Sequence, residues 1–157
     1  MLKNLLSTIW VLVPARLRRL TMRATNNTFT VTAAGIIFNT EGKVLLLKHR
    51  FRAGSGWGIP GGFLQAGEQA DEALRREMRE EIDLEIDGAR IFAVRTFKRQ
   101  NQIEIVFVSR ASGNIEPKSI EVERVAWFPP NALPNGLPSD QKKLIESVLA
   151  DGAKGRG

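Results

Sequence analysis

The chain contains no cysteine and no tyrosine, and its only histidine is His49. Without cysteine there is no disulfide framework, thiolate metal site, iron–sulfur cluster or cysteine nucleophile. A single histidine excludes a multi-histidine metal site and leaves little room for a Ser-His-Asp triad. A long apolar run is missing too. The stretch from Met1 to Val13 falls short of the roughly 20 residues that a bilayer-spanning helix needs. Acid–base or metal chemistry must therefore run mainly on carboxylates.

What is present suits one folded domain. The chain has 157 residues, 43% of them hydrophobic and 25% charged. That is long enough to bury most of its apolar surface, and the balance excludes whole-chain disorder. Charge is unevenly spread. The net charge is +6, yet Glu68 to Asp87 holds nine acids and three arginines, a local −6. The remainder carries 20 basic and 8 acidic residues, or +12. A carboxylate cation site facing an anionic substrate fits this pattern, because the surrounding positive field draws phosphates inward. So does a solvated acidic helix on a basic protein that binds RNA or a membrane surface.

Residues 1–23 read as an amphipathic, basic segment. Leu2, Leu5, Leu6, Ile9 and Val13 follow helical spacing, Pro14 ends the run, and Arg16, Arg18, Arg19 and Arg23 follow. Its charge lies mostly after the apolar part and no small-residue cleavage site appears, so it reads poorly as a signal peptide. Packing on the domain, pairing in a homodimer and peripheral contact with an anionic membrane all fit it. The default compartment is the cytoplasm, and nucleic acid is not expected as a partner.

The domain itself is expected over 24–150, with a flexible tail over 151–157. Thr28 to Phe38 and Lys43 to Lys48 read as a strand hairpin around Asn39-Thr40-Glu41-Gly42. Ala53 to Gly67 reads as a loop with six glycines and one proline. Glu68 to Ile82 reads as a helix whose buried stripe is Ala70, Leu74, Met78 and Ile82. Strands follow at Ala89 to Phe97, Ile103 to Arg110 and Ile120 to Phe128. A last helix opens with Ser139 as N-cap and has Leu144, Ile145, Val148 and Leu149 as its apolar face. This mixture without a strict βα repeat predicts an α/β (α+β) fold, a mixed sheet with helices packed on it.

On the central helix, Glu77, Glu80 and Glu81 stand at i, i+3 and i+4, within one sector of about 100° beside the apolar stripe. Like-charged neighbours on an exposed helix cost roughly 0.2–0.5 kcal/mol per pair. A hard divalent cation with oxygen ligands reverses that cost. A solvated Glu/Arg helix, supported by Glu72–Arg76 and Arg76–Glu80 pairs, accounts for the same spacing. The upstream Gly58-Ile59-Pro60-Gly61-Gly62 permits close approach of a substrate, or is simply a long turn.

Taken together these residues resemble the Nudix family, whose signature is G-x5-E-x7-R-E-U-x-E-E-x-G-U, with U aliphatic. Gly62, Glu68 and Arg76-Glu77-Met78-Arg79-Glu80-Glu81-Ile82-Asp83-Leu84 meet it at every position but one. Trp57-Gly58-Ile59-Pro60-Gly61 is similar to the family's approach to this box, and Glu121 followed by Trp127-Phe128 is similar to its later part. The departure is Asp83, where the family has glycine. The position follows the helix and calls for a left-handed backbone. Aspartate is among the few residues that tolerate it, at about 1 kcal/mol or less.

The resemblance implies a Nudix-like α/β/α sandwich and a hydrolase that cleaves a diphosphate bond in a nucleoside diphosphate linked to another moiety. It implies Mg²⁺, or Mn²⁺, held by Glu77, Glu80 and Glu81 with the Gly61 backbone. Arg76 then orients the glutamates, and Glu68 orients loop and helix. Gly61 and Gly62, with Arg50, Arg52 and Trp57, are the expected substrate-binding residues. Lys48, Phe97 and Trp127 are further candidates; for Lys48, Arg50 and Arg52 solvated surface fits equally well, and Trp57, Phe97 and Trp127 are aromatic residues of the kind more often found in a core. Glu80 is a candidate general base, with Glu121 and Glu104 as outside choices. His49 reads as a strand-end surface residue. Markers of the coenzyme A, NADH, diadenosine-polyphosphate and ADP-ribose branches are not found. The alternative within the family is a non-catalytic module that binds a nucleotide and regulates a partner.

Overall fold

The computed structural model describes Pro14 and residues 28–154; the reading of residues 1–23 lies outside the described residues. No helix among the described residues is long and apolar enough to cross a membrane.

β-branched and apolar residues make β1 (Thr30–Phe38) a strand buried on both faces. Ala33 and Ile37 enter one core, and Ala34 and Ile36 the other. A strand with two buried faces reads as a continuous apolar run and not as an alternation. The same holds for β2 (Val44–His49), where Leu45 and Leu47 face one core and Val44 and Leu46 the other. Asn39 closes the turn between them, its side-chain oxygen accepting from the Glu41 and Lys43 N–H groups. The expected hairpin pairs only at its base, Phe38 with Val44.

Beyond that base the two strands diverge, and each recruits other partners. β1 runs antiparallel to β4 (Gly61–Phe63) and parallel to β6 (Gln102–Arg110), which pairs with β5 (Asp87–Phe97). β2 takes β3 (Trp57–Gly58) on one side and β7 (Val122–Phe128) on the other. The glycine-rich stretch expected as loop thus contributes two short strands. The Gly35 N–H donates to the Pro60 carbonyl, and the Leu64 N–H to the Val31 carbonyl. These bonds stitch the stretch to the sheet, a long-range pairing that local composition does not reveal.

Helix α1 (Ala70–Ile82) seats Leu74, Met78 and Ile82 fully buried in the first core, with Ala73 beside them. Helix α2 (Ser139–Lys154) covers the opposite core with Ile145 and Val148. The sandwich expected from sequence is what forms: helix, mixed sheet, helix. Three details differ. Ser139 is already inside α2, because the Lys142 N–H reaches back to the Pro138 carbonyl. Leu149 is 40% exposed, outside the buried face. The helix also runs through Asp151 to Lys154, so the expected tail begins inside it. The carboxylate of Asp151 lies 4.0 Å from the Arg90 guanidinium on the sheet.

Candidate active site

The site assembles where α1 faces the β4 strip. α1 starts at the Gln69 N-cap, whose N–H donates to the Glu72 carboxylate. Glu72 is thereby taken up by the cap, and the expected pair with Arg76 gives way to another arrangement. Arg76 Nε and Nη2 donate to the two oxygens of Glu68, at 2.8 and 3.1 Å. Nη1 donates to Glu77 Oε1 at 2.8 Å and to Glu80 Oε2 at 3.3 Å, and Nη2 also reaches the Phe63 carbonyl at 3.0 Å. One guanidinium therefore ties the loop before α1, the end of β4 and two helix glutamates together. A planar fork with five donors suits such a junction. Its hydrogen bonds hold the Glu68 carboxyl below the usual carboxylate range.

Gly61 and Gly62 lie against this junction for steric reasons. A Cβ on Gly61, where φ is +154°, would run into the Ala33 carbonyl, and one on Gly62 would occupy the space of the Glu77 carboxylate. Backbone and carboxylate can meet here only because both side chains are missing. At the far end of α1, Asp83 adopts φ 56° and ψ 37°, the left-handed geometry expected of it. Its N–H donates to the Arg79 carbonyl, the Leu84 N–H donates to the Met78 carbonyl, and its carboxylate pairs with Lys118 Nζ at 2.5 Å.

Two cavities share the strip as part of their walls. One, of about 490 Å³, is lined by His49, Arg52, Gly61, Gly62, Phe63, Arg76, Glu77, Glu81 and Glu121 among others. The second, of about 190 Å³, shares Arg52 and Gly61 to Phe63, and adds Thr32, Gln102, Glu104 and Gln141. In its wall, Glu104 accepts from Arg95 Nε at 2.5 Å and Gln102 donates to Thr32 at 2.8 Å. Gln141 accepts the Ile59 N–H at 2.9 Å, which anchors α2 to the glycine strip.

The three helix glutamates are not equivalent. The Glu80 side chain is 60% exposed and that of Glu77 17%, whereas Glu81 is 8% exposed and sits in the larger cavity. Burial first, then the charges of Glu77, Glu121 and Glu80, push the Glu81 carboxyl up to about 7 against an opposing pull from Arg52. Burial, assisted by Arg52, lowers His49 to about 4. The Arg52 guanidinium is also lowered by burial, an effect that Glu81 and Glu104 oppose.

Four buried side-chain polar atoms lack a partner among the described residues: Glu81 Oε2, His49 Nε2, Arg52 Nη1 and Ser109 Oγ. The first three belong to residues that line the larger cavity. Native proteins satisfy most buried polar groups, so three such atoms on one cavity wall leave bonding capacity that a ligand, an ion or water can take up. The donor set also has the right chemistry for a hard divalent cation, since carboxylate and carbonyl oxygens are its preferred ligands. No three His, Asp or Glu side chains among the described residues are already grouped to hold an ion. A cation would have to draw these carboxylates together.

The structure thus gathers Arg52, Gly61, Gly62, Arg76, Glu77 and Glu81 around one cavity, with Glu80 at its edge through Arg76. Arg50 is exposed, outside both cavity walls, with its N–H donating to the Glu121 carbonyl. Trp57 also stands outside them. It packs edge-on against Phe128, with centroids 5.0 Å apart, in the α2-side core. His49, expected at the surface, differs as well, since it lines the larger cavity. Its side chain is only 13% exposed and its Nδ1 lies 3.8 Å from Glu81 Oε1. The available signal was its place in the row Leu45, Leu47, His49, whose even spacing points all three to the α1 side.

Comparison with known proteins agrees with this geometry. The NUDIX domain matches residues 28–148. The chain is 30% identical over 139 residues to the 8-oxo-dGDP phosphatase NUDT18 of Homo sapiens, covering 85% of this chain and 40% of that protein. It is 24% identical over 119 residues to the NAD-capped RNA hydrolase NudC of Vibrio atlanticus strain LGP32, covering 74% and 44% respectively. The chain therefore spans less than half the length of these two relatives. Among solved structures, a NUDIX hydrolase from Nitrosomonas europaea superposes with a TM-score of 0.68 at 25% identity, over 77% of this chain and 72% of that one. With the match running from the first strand to the last helix, and a glycine strip facing a row of helix glutamates inside it, this chain belongs to the NUDIX family.

Proposed function

We propose that this chain hydrolyses a diphosphate bond in a nucleoside diphosphate linked to another moiety, with a divalent cation held by Glu77, Glu80, Glu81 and the Gly61 carbonyl. The observation that carries this reading is the trio of unpartnered buried atoms on Glu81, His49 and Arg52 around a cavity floored by Gly61 and Gly62. When bound, Mg²⁺ or Mn²⁺ neutralises phosphate oxygens and activates water for attack at phosphorus. The protein's own groups supply the rest. Arg52, half-buried with its Nη1 unpartnered, is placed to bind a phosphate oxygen. Arg76 orients Glu77 and Glu80 through its bonds to both, while Glu68 braces Arg76 from the loop. Glu80, the most exposed of the three, would accept a proton from the attacking water through an oxygen that the cation leaves free. The names of the relatives, hydrolases of 8-oxo-dGDP and of NAD-capped RNA, support a nucleotide derivative as substrate.

A substrate panel with product analysis tests this. Nucleoside diphosphate sugars, dinucleotides and nucleoside di- and triphosphates are incubated with Mg²⁺ or Mn²⁺, with and without chelator. Metal-dependent release of a nucleoside monophosphate or of phosphate is expected. Binding of nucleotides with no turnover across the panel would favour the regulatory module instead.

A further inference from the structure

Arg76 serves Glu68, Glu77 and Glu80, yet its hydrogen bonds do not extend to Glu81, the most deeply buried carboxylate of the row. What stands next to Glu81 is His49, and the backbone holds it there. The pairing of β2 with β7 shifts register between Lys48 and His49, so that His49 lies opposite Val122. The His49 N–H donates to the Gly56 carbonyl at 2.9 Å. Gly56, at φ +76°, passes so close that a Cβ there would stand 2.7 Å from the His49 carbonyl. With the strand clamped on both sides, the ring continues the Leu45–Leu47 row into the cavity. Its Nδ1 comes to 3.8 Å from Glu81 Oε1, and the two side chains are 13% and 8% exposed.

We propose that His49 is a positioning residue for Glu81: a ring N–H holds Oε1 and fixes the carboxylate's orientation, leaving Oε2 for the cation. This rests on the cation-binding reading above. The 3.8 Å separation is longer than a hydrogen bond, and the proposal requires the two side chains to close it when the cation is bound. The residue type suits the task. A lysine would bring a full positive charge that competes with a divalent ion, and an aliphatic side chain would leave a buried carboxylate without a donor. Groups that orient a ligand in this way contribute about 10–100-fold to metal affinity.

The test is a Mn²⁺ titration of the full chain without substrate, with free ion read by electron paramagnetic resonance. Wild type is compared with His49→Gln, which keeps an N–H donor, and His49→Met, which has similar length and none. Thermal unfolding checks that each variant is folded, and His49→Leu replaces the methionine variant if that one is not. The expected result is a 10–100-fold weaker affinity for the methionine variant, with glutamine returning to within about threefold of wild type. A donor-less variant that binds like wild type, or a glutamine variant as weak as methionine, overturns the proposal. Wild-type protein that takes up no Mn²⁺ overturns the cation reading and this inference with it, before any variant is compared.

Discussion

Glu81 and His49 share one cavity but titrate with opposite consequences. Glu81 is raised to about 7 in the fold from an ordinary value of 4.5, so its contribution to stability is complete below about pH 4.5 and lost as pH rises through about 7. His49 is lowered to about 4 from 6.5, so its contribution is present above about pH 6.5 and lost as pH falls through about 4. Between these limits the two slopes oppose each other. Single substitutions should separate them in metal-free protein. With Glu81→Gln, stability is expected to rise between about pH 4 and 6.5, and with His49→Gln to fall between about pH 4.5 and 7. Each change amounts to at most about 3 kcal/mol. Urea denaturation across that range in the presence of chelator measures both, and a flat profile for one variant contradicts the shift assigned to the residue that variant retains. Asp83 offers a third check. Asp83→Gly should change stability by less than about 1 kcal/mol, because glycine relieves the left-handed strain while the exposed Lys118 pair is lost. Asp83→Ala keeps the strain, loses the pair and should lower stability by about 1 kcal/mol. Of these residues, Asp83 was legible in the sequence, because a helix end is a local event. The burial of Glu81 was not, since it is supplied by β2 and by the segment around Glu121.

At the scale of elements, α1 and the β4 strip act as a unit joined through Arg76. Gly62→Ala would push against the Glu77 carboxylate, a flexible side chain that can swing away. The fold should survive while Mn²⁺ affinity falls at least about tenfold, as loss of a ligand's orientation implies. Gly61→Ala meets the Ala33 carbonyl instead, which the sheet holds in place. That variant should lose about 1–3 kcal/mol of stability, read from its denaturation midpoint. Spacing alone located the glutamate row and the arginine on α1. It did not show that Glu72 would cap the helix, freeing Arg76 to turn towards Glu68 and Phe63. That choice depends on where the loop before the helix lies.

Across the whole molecule, an acidic helix is set within a basic chain. If the positive surroundings steer a polyanionic substrate towards the carboxylate cavity, kcat/KM should fall several-fold as ionic strength rises from about 0.05 to 0.5 M, because screening shortens the reach of the field. Turnover at saturating substrate should change much less. Stopped-time assays on any substrate found in the panel can measure both, and a kcat/KM indifferent to salt would remove steering from the account.

The sequence by itself determined the apolar strands, the helix with three carboxylates in one sector, the glycine strip before it and the left-handed stop after it. All of these follow from periodicity or from the conformational range of single residues, which neighbours along the chain suffice to set. Only the tertiary structure decided that β1 and β2 part company beyond their turn, one pairing with β4 and β6 and the other with β3 and β7. That divergence brings His49 to Glu81, sets Arg52 between two cavities and leaves Trp57 in the core. Burial and encounter between distant segments are properties of the packed chain, and no local pattern encodes them.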